Sequence, residues 1–291
     1  MADLIQLLTN GLALGSIYAL TAIGFVIVYS ATGVVNFAAG QFVMVGTFAG
    51  VATLVNAGWP MPVGYIGALV VMALFGALFY LIVYLPLRAS PIVTVIIGTV
   101  AIGITIQNMA LLTFGSWPFP VPSPFDGMMI DLGGTVISAH AIAVVIATGV
   151  LILLLWLLMH RTAIGIAMRA VAQDVKVARL MGLRVQWLLA FTWILAAVMA
   201  GIAGLMLGPM WFADVNMGDP IALKAFAATV IGGFGSLPGA IAGGFFVGLA
   251  EVLGASYVSS AYKDLIAFGV MILFLLFRPQ GIFGEKIQDR G

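Results

Sequence analysis

Residues 160–187 read HRTAIGIAMRAVAQDVKVARLMGLRVQW, a long polar island between two apolar runs in an otherwise oily chain. Of the 11 Lys and Arg residues in the chain, Arg161, Arg169, Lys176, Arg179 and Arg184 fall here, against the single carboxylate Asp174. If the flanking runs cross a bilayer, a positive island lies on the cytoplasmic side, because Lys and Arg close to membrane ends are retained there. It then orients every apolar run around it and is the natural surface to offer a soluble partner.

The runs around it do have the character of membrane spans. The chain is 63% hydrophobic and only 7% charged, with a mean hydropathy of +1.22, whereas soluble domains carry about 25% charged residues. Successive apolar runs of about 18 residues or more match the thickness of a bilayer core as helices, and they lack the period-two alternation of a barrel. The fold class expected is therefore an all-α polytopic membrane protein. The 36 glycines point to close helix packing and to broken helices. With no Cys and two His, His140 and His160, neither a disulfide framework nor a thiolate or histidine metal site is expected. No cofactor is called for, and the net charge of +1 gives no reason to expect nucleic acid. The first apolar run is long enough to span and has no basic region before it, so it reads as a membrane helix rather than a cleavable leader.

Taken in order, spans are expected over residues 4–29, 63–85, 92–114, 141–159, 187–207 and 265–277. Two further elements are interrupted. Residues 34–55 carry Asn36, Gln41 and several glycines, so the start of this element is not regular helix. Residues 221–257 are broken by GGFGSLPG at residues 232–239. The whole chain reads as one membrane domain of about eight elements, with a loop at 160–187 and a broken hairpin at 221–257. Two connecting loops hold Asp126 and Asp131, and Asp214 and Asp219, with no base, and belong outside. Arg88, the island and the tail with Lys286 and Arg290 belong inside, which puts the N-terminus outside and the C-terminus in the cytoplasm. The first arm of the hairpin, about 14 residues or roughly 21 Å long, is too short to cross, so a re-entrant element facing the protein interior is expected. Two broken elements after oppositely directed spans fit an inverted repeat with a path between them; FAAGQFVMVGTFAG is weakly similar to SLPGAIAGGFFVG at the second break.

Within the island, Ile164, Met168, Val171, Val175 and Ala178 form one apolar stripe at helical spacing, and Gly182 ends the helix. Such a helix either lies on anionic headgroups or docks into a groove on a cytoplasmic partner. RAVAQDVKVARLMGL resembles the cytoplasmic loop of the permease subunits of branched-chain amino acid ABC importers, the LivH type. NGLALGSIYALTAIGFVIVYSATGVVNFAAGQ looks like the first block of that family, KAFAATVIGGFGSLPGAIAGGFFVGLAE like its late block, and YKDLIAFGVMILFLLFRPQGIFG like its ending. Where the family pattern would read N-F-A-H-G-E, this chain has Ala39 and Gln41, which leaves the cargo open. The resemblance implies a permease in the bacterial inner membrane that moves a branched-chain or other hydrophobic amino acid inward. Its implied partners are a second related permease subunit, two cytoplasmic ABC ATPases and a periplasmic substrate-binding protein. Arg169, Ala172, Asp174, Lys176, Arg179 and Gly182 would be the ATPase-coupling residues.

Polar groups at membrane depth each need a reason, since a central charge costs about 2.5 to 3.5 kcal/mol on insertion scales. Lys224 and Glu251 either pair to hold the hairpin shut or line a path. Asn36, Gly40, Gln41, Asn108 and Gly235 are the other candidates for that path, with helix capping as the alternative role for the polar ones. No G-x-x-x-x-G-K-[ST] phosphate loop is present, so nucleotide hydrolysis is expected of partners and not of this chain. An ion-coupled secondary transporter would also use broken helices, but it predicts intramembrane carboxylates, of which only Glu251 qualifies, and it leaves the island without a role. A permease for amides or urea, and a channel-like or structural membrane subunit, stay open.

Overall fold

The structure is a computed structural model that describes residues 2–131, 136–278 and 280–284. The tail residues Lys286 and Arg290 lie outside it. The order is α1 (Ala2–Thr32), α2 (Ala39–Gly50), α3 (Met61–Phe79), α4 (Leu85–Leu87), α5 (Ile92–Phe114), β1 (Met129–Asp131), β2 (Val136–Ser138), α6 (Ala139–Arg161), α7 (Ala163–Gln173), α8 (Val175–Leu180), α9 (Val185–Trp211), α10 (Gly218–Gly232), α11 (Leu237–Tyr257) and α12 (Lys263–Phe277). Widened π-helical turns, Val51–Asn56 and Tyr80–Tyr84, extend α2 and join α3 to α4. Among the described residues eight helices are long and apolar enough to cross a membrane, and α10 is not one of them. The chain is an all-α polytopic membrane protein. The short hairpin of β1 and β2, paired antiparallel, sits in a loop where no strand is expected from the sequence.

Helix α1 is the hub: residues 13–28 are all buried, whereas α12 buries Ala267 alone. It packs against α9, α10 and α11, and glycines make the closest of these contacts possible. A Cβ on Gly15 would sit 2.8 Å from Phe245 Cα, and one on Gly248 would collide with the backbone of Gly15. The two helices touch backbone to backbone, which is how apolar helices associate where water gives no hydrophobic drive. Gly248→Leu is therefore expected to separate α1 from α11 and to lower the melting temperature of the purified protein by more than 5 °C, read by a thermal-shift assay in detergent; an unchanged value would contradict the close approach.

The two acidic loops meet at one end of the bundle, where Phe119 and Ala213 exchange backbone hydrogen bonds of 3.0 and 2.8 Å. At the other end Arg88, Arg179, Arg184, Gln186 and Trp187 line a shallow basic recess. The charge asymmetry read along the chain is thus an asymmetry between the two ends of the fold.

The irregular link at residues 33–38 is covered by protein. Asn36 is 2% exposed; its Oδ1 accepts from Ala38 N–H at 3.1 Å, while Phe37 N–H donates to Thr99 Oγ1 of α5 at 3.2 Å. Backbone that leaves the helix at this depth finds side-chain partners, as it must. A second six-residue link, residues 212–217, separates α9 from α10. The two links correspond. Helix α2 packs on α9 and α10 packs on α1, and the N-terminal turns of α2 and α10 meet at Gly40 and Gly218. The sequence similarity pointed to residues 232–248 as the counterpart of α2, but α11 runs antiparallel to α1 and has the wrong direction; α10 has the right one.

The break at residues 233–236, expected within a re-entrant element facing the protein interior, lies instead at one end of the bundle, and the arm after it, α11, is long and apolar enough to cross a membrane. Phe234 stacks edge-on against Tyr29, ring centroids 5.0 Å apart, near the C-terminal end of α1, so the turn shares an end of the bundle with the basic segment. Residues 280–284 close it from outside. Ile282 and Phe283 N–H donate to the carbonyls of Ile231 and Gly232, both at 2.9 Å, satisfying acceptors that the end of α10 leaves free.

Candidate functional site

Three places gather the polar residues singled out from the sequence. The first is the basic segment, where one helix was expected and two are found. Asp174 takes extended backbone angles, ends α7, and caps α8 by accepting from Lys176 and Val177 N–H at 2.7 and 3.0 Å. Those two backbone donors, Val177 foremost, hold its carboxyl below the usual carboxylate range by favouring the charged form. Gly182, at φ +82°, closes α8: Leu183 N–H donates to Ala178 and Gly182 N–H to Arg179, the paired bonds of a Schellman ending that needs a left-handed residue.

The apolar stripe is partly covered by the protein, Ile164 and Val175 each remaining 37% exposed. Met168, Val171 and Ala178 are buried in the main core cluster, with α7 packed on α1, α6 and α9. What faces outward is different: Arg169, Ala172, Lys176 and Arg179 are exposed, and beside them Val177 is 53%, Leu180 87% and Met181 78% exposed. A rigid, doubly capped turn thus presents apolar knobs ringed by positive charge beyond the spans. Periodicity alone picked out the inward face, because a helix with two apolar faces shows the longer stripe more clearly.

The second place is a buried ion-pair network. Lys224 on α10 is 2% exposed; its Nζ donates to Glu251 Oε1 of α11 at 2.5 Å and to Asp264 Oδ1 of α12 at 2.8 Å. Tyr18 of α1 donates to Glu251 Oε2 at 2.7 Å and sets its ring 5.9 Å from the ammonium. The pairing of Lys224 with Glu251 was one of the two roles open from sequence. Tyr18 and Asp264 were missed: Tyr18 sits in an unbroken apolar run, and Asp264 at the start of α12 looks like a surface residue, which at 56% side-chain exposure it partly is. Four elements are tied together by one lysine.

The third place is the junction of α2 with α10. Gln41, 4% exposed, lies between Gly103 of α5 and Gly218 of α10, and its Nε2 donates to Asp219 Oδ1 at 2.7 Å. Its Oε1 is buried and has no hydrogen-bond partner among the described residues. Asp219 was read only as a loop charge; nothing in the sequence shows that it returns to Gln41. Asn36 and Gly40 flank this junction. Asn108 does not join it: it is exposed on α5 and its amide bonds back to Ile104 O at 2.8 Å, while its neighbour Gln107 reaches Asn216, just before α10, at 3.1 Å. Gly235 is remote from it, in the turn beside Tyr29.

Compared with known proteins, residues 7–275 match the family described as branched-chain amino acid transport system / permease component. The chain is 35% identical over 296 residues to the high-affinity branched-chain amino acid transport system permease protein LivH of Escherichia coli (strain K12), covering 97% of this chain and 96% of that one. It is 35% identical over 295 residues to the corresponding protein BraD of Pseudomonas aeruginosa, with the same coverage. A probable branched-chain amino acid transport permease protein LivH of Methanocaldococcus jannaschii is 31% identical over 299 residues, 96% of this chain and 92% of that one.

Proposed function

Because the chain belongs to the branched-chain amino acid transport permease family, we propose that it is the membrane subunit of an ATP-binding cassette importer and moves a branched-chain or similarly apolar amino acid into the cytoplasm. The observation that carries the coupling half of this reading is the outward face of α7 and α8. Val177, Leu180 and Met181 are apolar, exposed and outside the spans, and Arg169, Lys176 and Arg179 surround them. Exposed apolar groups rimmed by charge mark a protein interface. The caps at Asp174 and Gly182 hold this face rigid, so that a push on α8 passes to α7 and from there to α1 and α9. ATPase subunits grip it from the cytoplasm, and the acidic loops face a substrate-binding protein outside. The multi-pass chain lies in the bacterial inner membrane, N-terminus outside, and pairs with a second related permease subunit to enclose the path. An ion-coupled mechanism has less to work with, since Glu251 is held by Lys224 and Tyr18.

Reconstitution in proteoliposomes with a partner permease subunit, ATPases and binding protein is expected to give leucine accumulation that requires ATP and the binding protein. Uptake driven by an ion gradient without the ATPases would overturn the reading.

The cap at Asp174 gives a further expected result. Asp174→Ala frays α8 and weakens ATPase binding at least threefold, whereas Asp174→Asn or Ser, which also cap, retain most of it, as read by co-purification at equal expression. The pH sign follows from the depressed pKa: the charged cap is fully formed above the ordinary carboxylate value, and its contribution is lost as pH falls through the lower value it has in the fold. ATPase attachment is therefore expected to hold through mildly acid pH; loss near pH 6 would point to another group.

A further inference from the structure

The buried, unpartnered Oε1 of Gln41 is unusual, because a buried acceptor without a donor costs free energy that folding does not return. Its surroundings are those of a binding position for a cation with an acid partner. Gln41 is in the first turn of α2 and Asp219 in the first turn of α10, and neither helix start has a side-chain cap. Both follow irregular links, and the two starts face each other across Gly40 and Gly218. Nε2 of Gln41 is used by Asp219 Oδ1, which leaves at this junction the buried Oε1 of Gln41 and the second carboxylate oxygen of the exposed Asp219 as acceptors. Among the described residues no Lys or Arg pairs with either. Along α10, Leu223 and Phe226 fall four and seven residues after Asp219 and share its face. Leu223 is 48% exposed, and the Phe226 ring lies 5.6 Å from that of Phe37. An acceptor pair thus sits at the head of an apolar strip.

We propose that Gln41 and Asp219 form the subsite for the α-ammonium group of the transported amino acid, with the aliphatic side chain running along Leu223, Phe226 and Phe37. This rests on the importer reading and adds the residues that recognise the cargo. The ammonium supplies the donor that Gln41 Oε1 lacks and a counter-charge for Asp219. The two helix starts, whose N-cap residues make no side-chain cap, set positive dipole ends beside it for the substrate carboxylate. Gln41 acts here as an acceptor held in place by its own amide bond to Asp219.

The test uses the reconstituted full transporter with leucine-loaded binding protein, measuring the rate constant of uptake, the KM for the loaded binding protein and the melting temperature of each variant. Gln41→Leu removes an unpaired buried acceptor together with the Nε2 bond to the exposed Asp219, so the melting temperature is expected to change little while the uptake rate constant falls at least tenfold at constant KM. Gln41→Glu keeps acceptors on both sides, sharing a proton with Asp219, and is expected to retain uptake within threefold. Gln41→Lys places a tethered ammonium on Asp219 and is expected to fold and not transport. Leucine uptake by Gln41→Leu or Gln41→Lys at the wild-type rate would overturn the proposal. If Gln41→Leu melts lower, the exposed Asp219→Asn decides: a fall in uptake of at least threefold supports the subsite, and an unchanged rate sinks it. Failure of the wild-type complex to import any amino acid is a different result and strikes the importer reading itself.

Discussion

Lys224→Met is expected to destabilise the protein by about 3–5 kcal/mol, because it leaves Glu251 buried among α1, α10 and α11 without its counter-charge. The Tyr18 hydroxyl still donates to Glu251, but one neutral donor does not replace an ammonium at 2.5 Å. Glu251→Gln is milder, since Asp264 continues to bond Lys224 and Gln can accept from Tyr18. The double variant Lys224→Met with Glu251→Gln recovers most of the loss of the first, as removal of a whole buried pair often does. Asp264 is left facing solvent. Thermal unfolding of the purified complex in detergent distinguishes the three; equal melting temperatures for all of them would mean that the network does not hold the hairpin to α1 and α12.

Charge reversal at Arg169 or Lys176 should act on a different property. Both side chains are exposed on the outward face of α7 and α8 and neither has an ion-pair partner among the described residues, so Arg169→Glu leaves the fold and membrane insertion intact. Leucine uptake is expected to fall at least tenfold, while the ATPases, when bound, go on hydrolysing ATP. Lys176→Glu, in the first turn of α8, where a carboxylate suits the helix dipole, is expected to lower uptake in the same way. Normal uptake by Arg169→Glu at normal expression would remove this face from the coupling path.

Much of the architecture was legible because a bilayer leaves few choices: apolar length gives the spans, and the positions of Lys and Arg separate the two ends. The irregular start of α2 was visible too, since Asn36 and the glycines near it contradict an unbroken helix. What the sequence hides is which polar residues meet. Lys224 and Glu251 are 27 positions apart on one hairpin, and the hairpin reading brings them together. Tyr18 and Glu251 are separated by 233 residues, and Gln41 and Asp219 by 178; only the packing of α1 on α11 and of α2 on α10 makes them neighbours. The inverted correspondence was misassigned for a similar reason. Small-residue patterns recur wherever helices touch closely, so glycine spacing pointed to α11, while chain direction, which spacing does not encode, selects α10. The island was read as one helix ended by Gly182; Gly182 does end α8, but Asp174 divides the segment in two, and an aspartate after a helix can be a cap for the next one.

The absence of cysteine from the chain makes the central claim, that α7 and α8 are the surface gripped by the ATPases, open to one direct measurement. A single cysteine at Leu180, with a second on the ATPase surface, is expected to cross-link in the assembled transporter, with a yield that changes when ATP is bound. A cysteine at Leu112, equally exposed on α5, serves as the control and should give no such product. Cross-linking at Leu112 but not at Leu180, in a complex that imports leucine, would contradict the account.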